Sequence, residues 1–371
     1  MVAVETLQVR PTMVLLYDTY IDRPSLLHRL GYDKRGNLAN INRQAYSGTL
    51  APHAKKRLAK ALNLLVAIAR PKSVFNPKTG KPFTFRLNFV TLTLPSAQKS
   101  ISDKNLKIQC FDPFIKSMKR KHGLKSYIWR AERQFNGNLH FHLTTDCFLP
   151  LTSLRDEWNR FLARFHFIDD FEKKHGHFSP NSTDVHSVHQ IKNIAAYMVK
   201  YMSKDPVQHL ADVNEERINK GLEAIDPDKH EYRSIDQQPQ WNTPIVGKVW
   251  DCSLNLKTKE KCVMVADSHT RSEVRHINAS GCTEHLTTDH CFLMLLKSGR
   301  MEEVLPTRLR HMYQGYLNKI RNFKRLPKTP LDIEPDPFFG YRERNQEQMT
   351  LAFSRIPQAY IVKGKTKERS S

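Results

Sequence analysis

The stretch KSYIWRAERQFNGNLHFHLTTD, residues 125–146, limits the fold more than any other part of the chain. Two runs rich in aromatic and β-branched residues flank Asn136-Gly137-Asn138. Asn and Gly supply the left-handed backbone that a tight antiparallel turn requires, so the stretch reads as a β-hairpin. Side chains alternate across a strand, which puts His140 and His142 on one face and Phe141 on the other. Two imidazoles so placed can ligate one metal ion while the phenyl ring anchors the strand in the core.

A third ligand depends on the length of the turn. With a two-residue Asn-Gly turn, Arg133 faces His140, and Glu132 lies opposite Phe141 on the wrong face. With the three-residue turn Asn136-Gly137-Asn138, Glu132 faces His142 and Gln134 faces His140. A metal site therefore demands the three-residue turn, which also keeps a guanidinium away from the cation. Glu132, His140 and His142 are the expected ligands, with Gln134 in reserve. Such a set suits Mg²⁺ or Mn²⁺ and leaves positions for a phosphate oxygen and water.

The elements around the hairpin set the fold class. FRLNFVTLTLP, residues 85–95, reads as a largely buried strand stopped by Pro95. Pro113–His122 reads as a short basic helix ended by Gly123. Leu154, Trp158, Phe161 and Phe165 form a helical stripe, with Ser153 as its N-cap. TDVHSVHQI, residues 183–191, reads as a strand, and a helix follows over 193–204. The order β-α-β-β-α-β-α points to an α+β domain built on a mainly antiparallel sheet with packed helices.

That last helix contains YMVKYMSK, residues 197–204. Tyr197, Lys200, Tyr201 and Lys204 fall at i, i+3, i+4 and i+7 on one face. Ile194, Met198 and Met202 form the opposite, core-facing stripe. Phenols beside ammonium groups fit nucleophilic attack on phosphorus, because a nearby cation favours the phenolate and neutralises developing charge. Packing of the tyrosines at a domain edge is the plainer alternative.

Charge points to the partner. Fifty-nine Lys and Arg against 37 Asp and Glu give a formal charge of +22, so a polyanion is expected. No apolar run is long enough to span a bilayer, and the N-terminus lacks the pattern of a signal peptide. Six cysteines without a CxxC pair read as reduced thiols. The expected setting is intracellular: host cytoplasm or nucleoid, or the nucleus of a eukaryotic host.

Four segments are expected. Residues 1–78 read as a basic helical N-terminal extension, with six Lys/Arg and no acid over Pro52–Lys72. Residues 79–206 hold the core, and 207–246 read as a polar linker or insertion. Residues 247–371 form a basic C-terminal region with strands at its start and a disordered tail. Within it, Thr307–Lys328 carries seven Lys/Arg and no acid, as in an exposed helix lying on nucleic acid.

These motifs resemble those of the HUH endonuclease superfamily, in particular rolling-circle replication initiators (Rep) of single-stranded DNA phages, viruses and plasmids. Phe89-Val-Thr-Leu-Thr93 is similar to the first, structural strand motif. His140-Phe-His142 matches the His-hydrophobic-His metal motif, and Tyr197–Lys204 the two-tyrosine nucleophile motif. Trp158-Asn159, Asn181–Asp184 and Gly247–Trp250 resemble phage- and virus-type Reps more loosely. The resemblance covers about a third of the chain, roughly 80–205. It implies a five-stranded antiparallel sheet, nicking and joining of single-stranded DNA at an origin, and a 5′-phosphotyrosine intermediate with a free 3′-hydroxyl primer. It makes Tyr197 and Tyr201 the nucleophiles, with Lys200 and Lys204 their phosphate partners. The chain lacks the G-x-x-x-x-G-K-[ST] loop of the helicase that many eukaryotic-virus Reps carry, so a host helicase and polymerase are expected partners. Two other readings are open: a transposase or relaxase of the same superfamily, and a non-catalytic single-stranded nucleic-acid-binding module, which would show surface aromatics on its strands.

Overall fold

The computed structural model describes residues 2–21, 50–76, 79–98, 101–134, 136–188, 243–288, 291–297 and 299–323, with scattered positions between 211 and 226. The elements below all belong to one unit, Met1–Asn322.

The chain opens with a hairpin, β1 (Val2–Arg10) and β2 (Met13–Ile21), followed by helix α1 (Pro52–Ile68). A ribbon of β3 (Lys72–Asn76) and β4 (Lys81–Phe85) leads into β5 (Leu87–Leu92). After α2 (Asp112–His122) come β6 (Tyr127–Arg133) and β7 (Leu139–Thr145). Next are α3 (Leu151–Ala163) and β8 (Thr183–Val188). The chain then supplies β9 (Trp250–Cys252), β10 (Cys262–Val265), α4 (Ser268–Ala279), β11 (Thr283–Thr288), β12 (Cys291–Leu296) and α5 (Thr307–Arg321).

The fold is α+β. One five-stranded sheet runs β8-β5-β7-β6-β9 and another β10-β1-β2-β12-β11. Every pairing in both is antiparallel. The predicted core order is found, and Gly123 ends α2 in the left-handed conformation at φ 66°. The helix predicted over 193–204 lies outside the described residues.

The first sheet is buried on one face by α2 and α3. Phe111 stacks on Phe141 with centroids 4.3 Å apart, and Trp158 is fully buried against Phe114. Trp158 Nε1 donates to Thr93 O at 2.9 Å, while Asn159 bonds Pro180 O and the Ser182 hydroxyl. Trp158-Asn159 thus ties the start of β8 to α3, a structural use of that motif. On the opposite face α1 covers only part of the sheet. Leu87, Phe89, Ile128 and Cys252 join Leu58, Leu62 and Leu65 of α1 in a core shared with the second sheet.

Several expectations change. The N-terminal segment is a hairpin plus a helix, not a helical arm. Its Pro11-Thr12 turn lacks the Asn or Gly that marks a hairpin, and its outer sheet partners, β10 and β12, lie about 250 residues or more away in the chain. The nuclease-like sheet takes its fifth strand, β9, from beyond residue 206. Ser153 is not the cap of α3: Pro150 stands there, and Ser153 Oγ lies 2.9 Å from His122 Nε2. The basic run at Thr307 forms α5, but it is packed rather than lying free. Leu309, Tyr313, Leu317 and Ile320 are buried. Arg308 holds Glu273 at 2.7 Å, and Arg310 and Arg321 donate to the carbonyls of Leu305 and Ile68. Among the described residues no helix is long and apolar enough to cross a membrane.

Candidate functional site

The face of the first sheet that α1 leaves open carries one continuous row across all five strands. Asp184 of β8 pairs with Thr91 of β5, Thr91 with His142 of β7, His142 with Arg130 of β6, and Arg130 with Trp250 of β9. The neighbouring pair toward the turn is Glu132 opposite His140. Residues directly opposite in a sheet project to the same face, so Glu132, His140 and His142 share it, as the metal reading demands.

The register differs from both alternatives read from the sequence. The closing pair of the hairpin is Gln134 and Asn138: Gln134 N donates to Asn138 O at 2.9 Å, so Asn138 pairs instead of turning. Gly137 takes the left-handed position at φ 82°. Asn138 is fixed from outside the hairpin, donating through Nδ2 to Ser96 O and accepting from Gln98 N, both at 2.8 Å. Glu132 therefore faces His140 rather than His142, and Arg130 faces His142. A guanidinium does stand beside the imidazoles, contrary to expectation.

Arg130 and Glu132 form an ion pair at 3.0 Å, and the other carboxylate oxygen of Glu132 lies 3.2 Å from His142 Nε2. Burial pushes the Glu132 carboxyl up, but the His142 hydrogen bond and the charges of Arg130, His142 and His140 outweigh it and hold the group at about 2. Thr91 Oγ1 lies 3.4 Å from His142 Nδ1, and Phe89 stacks on the same ring at 5.0 Å. The first strand motif thus orients an imidazole, the kind of outer support that metal-binding histidines use. His140 meets His142 edge to face at 4.4 Å.

A carboxylate oxygen and an imidazole nitrogen at 3.2 Å need a positive centre between them, either a proton or a cation. Adjacent ligands at ~2.1 Å around an octahedral Mg²⁺ or Mn²⁺ stand ~3.0 Å apart. Glu132 and His142 match that spacing. His140 shares the face but is not gathered with them; among the described residues no group of three or more His, Cys, Asp or Glu is assembled to hold a metal. The donor types and face fit a divalent cation, with two of three donors at ligand spacing.

Tyr197, Lys200, Tyr201 and Lys204 lie outside the described residues. Sequence reasoning missed Arg130, the support from Thr91 and Phe89, and a second acid–imidazole pair. Asp184 and His186 lie 2.7 Å apart on β8, on the site face. The period-two pattern Phe89-Thr91 and Asp184-His186 was the signal for the last two. At the far end of the row, Arg57 of α1 lies over the Trp250 ring at 5.8 Å.

Residues 87–206 match a family model described as a replication-associated protein of the ORF2 type. The match spans β5 to β8 and reaches past the tyrosine motif. No curated protein and no solved structure gave a significant match.

Proposed function

We propose that this chain, whose residues 87–206 match a family of rolling-circle replication initiators, nicks and rejoins single-stranded DNA at a replication origin. The observation that carries the reading is the shared face of Glu132, His140 and His142, supported by Thr91, inside the matched segment. Those three residues would hold Mg²⁺ or Mn²⁺, which polarises the scissile phosphate when bound. Tyr201 or Tyr197 then forms an Oη–P bond as the P–O3′ bond breaks. The phenol gives up its proton, and the departing O3′ takes one up to become the primer hydroxyl. Lys200 and Lys204 favour the phenolate and offset charge on the phosphoryl oxygens. With two tyrosines, one holds the 5′ end while the other cuts the next junction, and the roles exchange. Host helicase and polymerase complete replication. The rival stacking platform is poorly served here. Phe89 is buried beneath His142, and Trp250 is the one half-exposed aromatic on this face among the described strands.

The test is incubation with a labelled stem-loop DNA from the protein's own replicon and Mn²⁺, followed by a denaturing gel. A covalent protein–DNA band is expected, abolished by chelator and by the Tyr197→Phe/Tyr201→Phe double variant. Absence of that band with active-site residues intact would overturn the proposal.

A further inference from the structure

A second concave site lies away from the nicking face, between the β1–β2 turn, α1, the entry to β10 and α5. It is a cavity of about 540 Å³, within the range of small-ligand pockets. Its walls are apolar, with Val9, Met13 and Leu64 among them and the ring of Tyr316 at one side. Its rim is cationic: Lys56 and Lys60 from α1, Lys261, and Arg10 at the turn, against the single acid Glu260. Lys56, Lys60 and Lys261 are exposed, and no acidic side chain among the described residues pairs with them.

Lys56 and Lys60 are one helical turn apart, ~6 Å along the axis, so both present charge to the same side of the cavity. Apolar walls with an aromatic ring suit a flat heterocycle; a rim of cations suits the phosphates on either side of it. Arg57, between those lysines in sequence, lies over Trp250 at the end of the polar row. The helix therefore carries positive charge from the candidate nicking face to the cavity.

We infer that this cavity binds one unpaired base of single-stranded DNA flanking the nick, with its neighbouring phosphates on Lys56 and Lys60. The base must be unpaired, because a duplex cannot turn a base into a concave pocket without extruding it. The inference rests on the nicking proposal for the identity of the DNA but not for the chemistry, and the two can fail separately.

The experiment uses the full chain carrying Tyr197→Phe/Tyr201→Phe in chelator, so that no cutting occurs. A fluorescein-labelled oligonucleotide with one 5-iodouracil is bound, irradiated, and the adduct mapped by mass spectrometry. The adduct is expected on Tyr316. Lys56→Ala/Lys60→Ala should weaken binding about 10-fold near 0.1 M salt and lower the slope of log affinity against log salt by about 1.4. Ala59→Trp fills the cavity without changing charge. It should weaken single-strand binding about 5-fold, the order of one lost stacking contact, with the salt slope unchanged. Wild-type affinity in Ala59→Trp with unaltered thermal unfolding, or adducts that avoid Tyr316, would overturn the inference. A chain that nicks DNA but gives no Tyr316 adduct sinks this site alone. One that never nicks yet gives the adduct sinks the nicking chemistry and keeps the site.

Discussion

At Glu132 two opposed effects meet. Removal from water disfavours the carboxylate, while Arg130 at 3.0 Å and His142 at 3.2 Å favour it. The charges win, and the group ionises at about 2 instead of the usual 4.5. A depressed carboxyl stabilises the fold fully above its unfolded value and loses that contribution as pH falls toward its folded one. Glu132→Gln leaves the buried Arg130 guanidinium without its counter-charge, a cost of ~3 kcal/mol near neutral pH. In chelator-treated protein, urea midpoints at pH 6, 4 and 3 should show a wide gap between wild type and Glu132→Gln that narrows steadily with acid. An unchanging gap would mean that the carboxylate is not held low. Thr91 and Phe89 act one step further out, by fixing the ring of His142 rather than by bearing charge.

Among the elements, β9 is the least obvious member of its sheet, three residues that return after a long excursion. Its approach is held by a buried cluster. Asp103 accepts from Arg133 at 2.7 Å and from Val246 N at 3.0 Å, and Lys107 Nζ donates to the carbonyls of Val246 and Lys248 at 2.7 and 2.8 Å. Asp103→Ala should strand the Arg133 guanidinium and release this segment, costing ~3–5 kcal/mol. Amide hydrogen exchange at Trp250–Cys252 should then rise well before that of β7; uniform protection would refute the anchoring role. This cluster also shows where sequence stops being readable. The shared face of His140 and His142 is legible because a strand has a strict period of two, and Gly123 is legible because a left-handed cap favours Gly. The hairpin register is not, since Asn138 is drawn into pairing by Ser96 and Gln98, about forty residues earlier. Nor is β9 legible: three residues carry no periodicity, and the side chains that hold it sit about 140 residues upstream. The charge of α5 misleads for a related reason, because its arginines are spent on Glu273 and on carbonyls that only the fold brings near.

On the scale of the molecule, the matched segment is not self-contained. Leu87, Phe89 and Ile128 project from its sheet on the same side as the imidazoles, and they are buried by α1 and the second sheet rather than by anything described between 87 and 206. Both sheets are stitched from distant parts of the chain: β9 joins β6, and β10 and β12 flank the N-terminal hairpin. Exposing those three side chains would cost ~5–9 kcal/mol at ~1.5–3 each. That is comparable to the ~5–15 kcal/mol net stability of a typical domain. A fragment of residues 79–206 also loses the edge pairing of β6. We expect it to unfold without a cooperative transition and to give weak near-ultraviolet circular dichroism, whereas a fragment of residues 2–323 should melt cooperatively. If 79–206 alone melts in one sharp transition, then α1 and the second sheet merely decorate the nuclease-like sheet, and the candidate site can form without them.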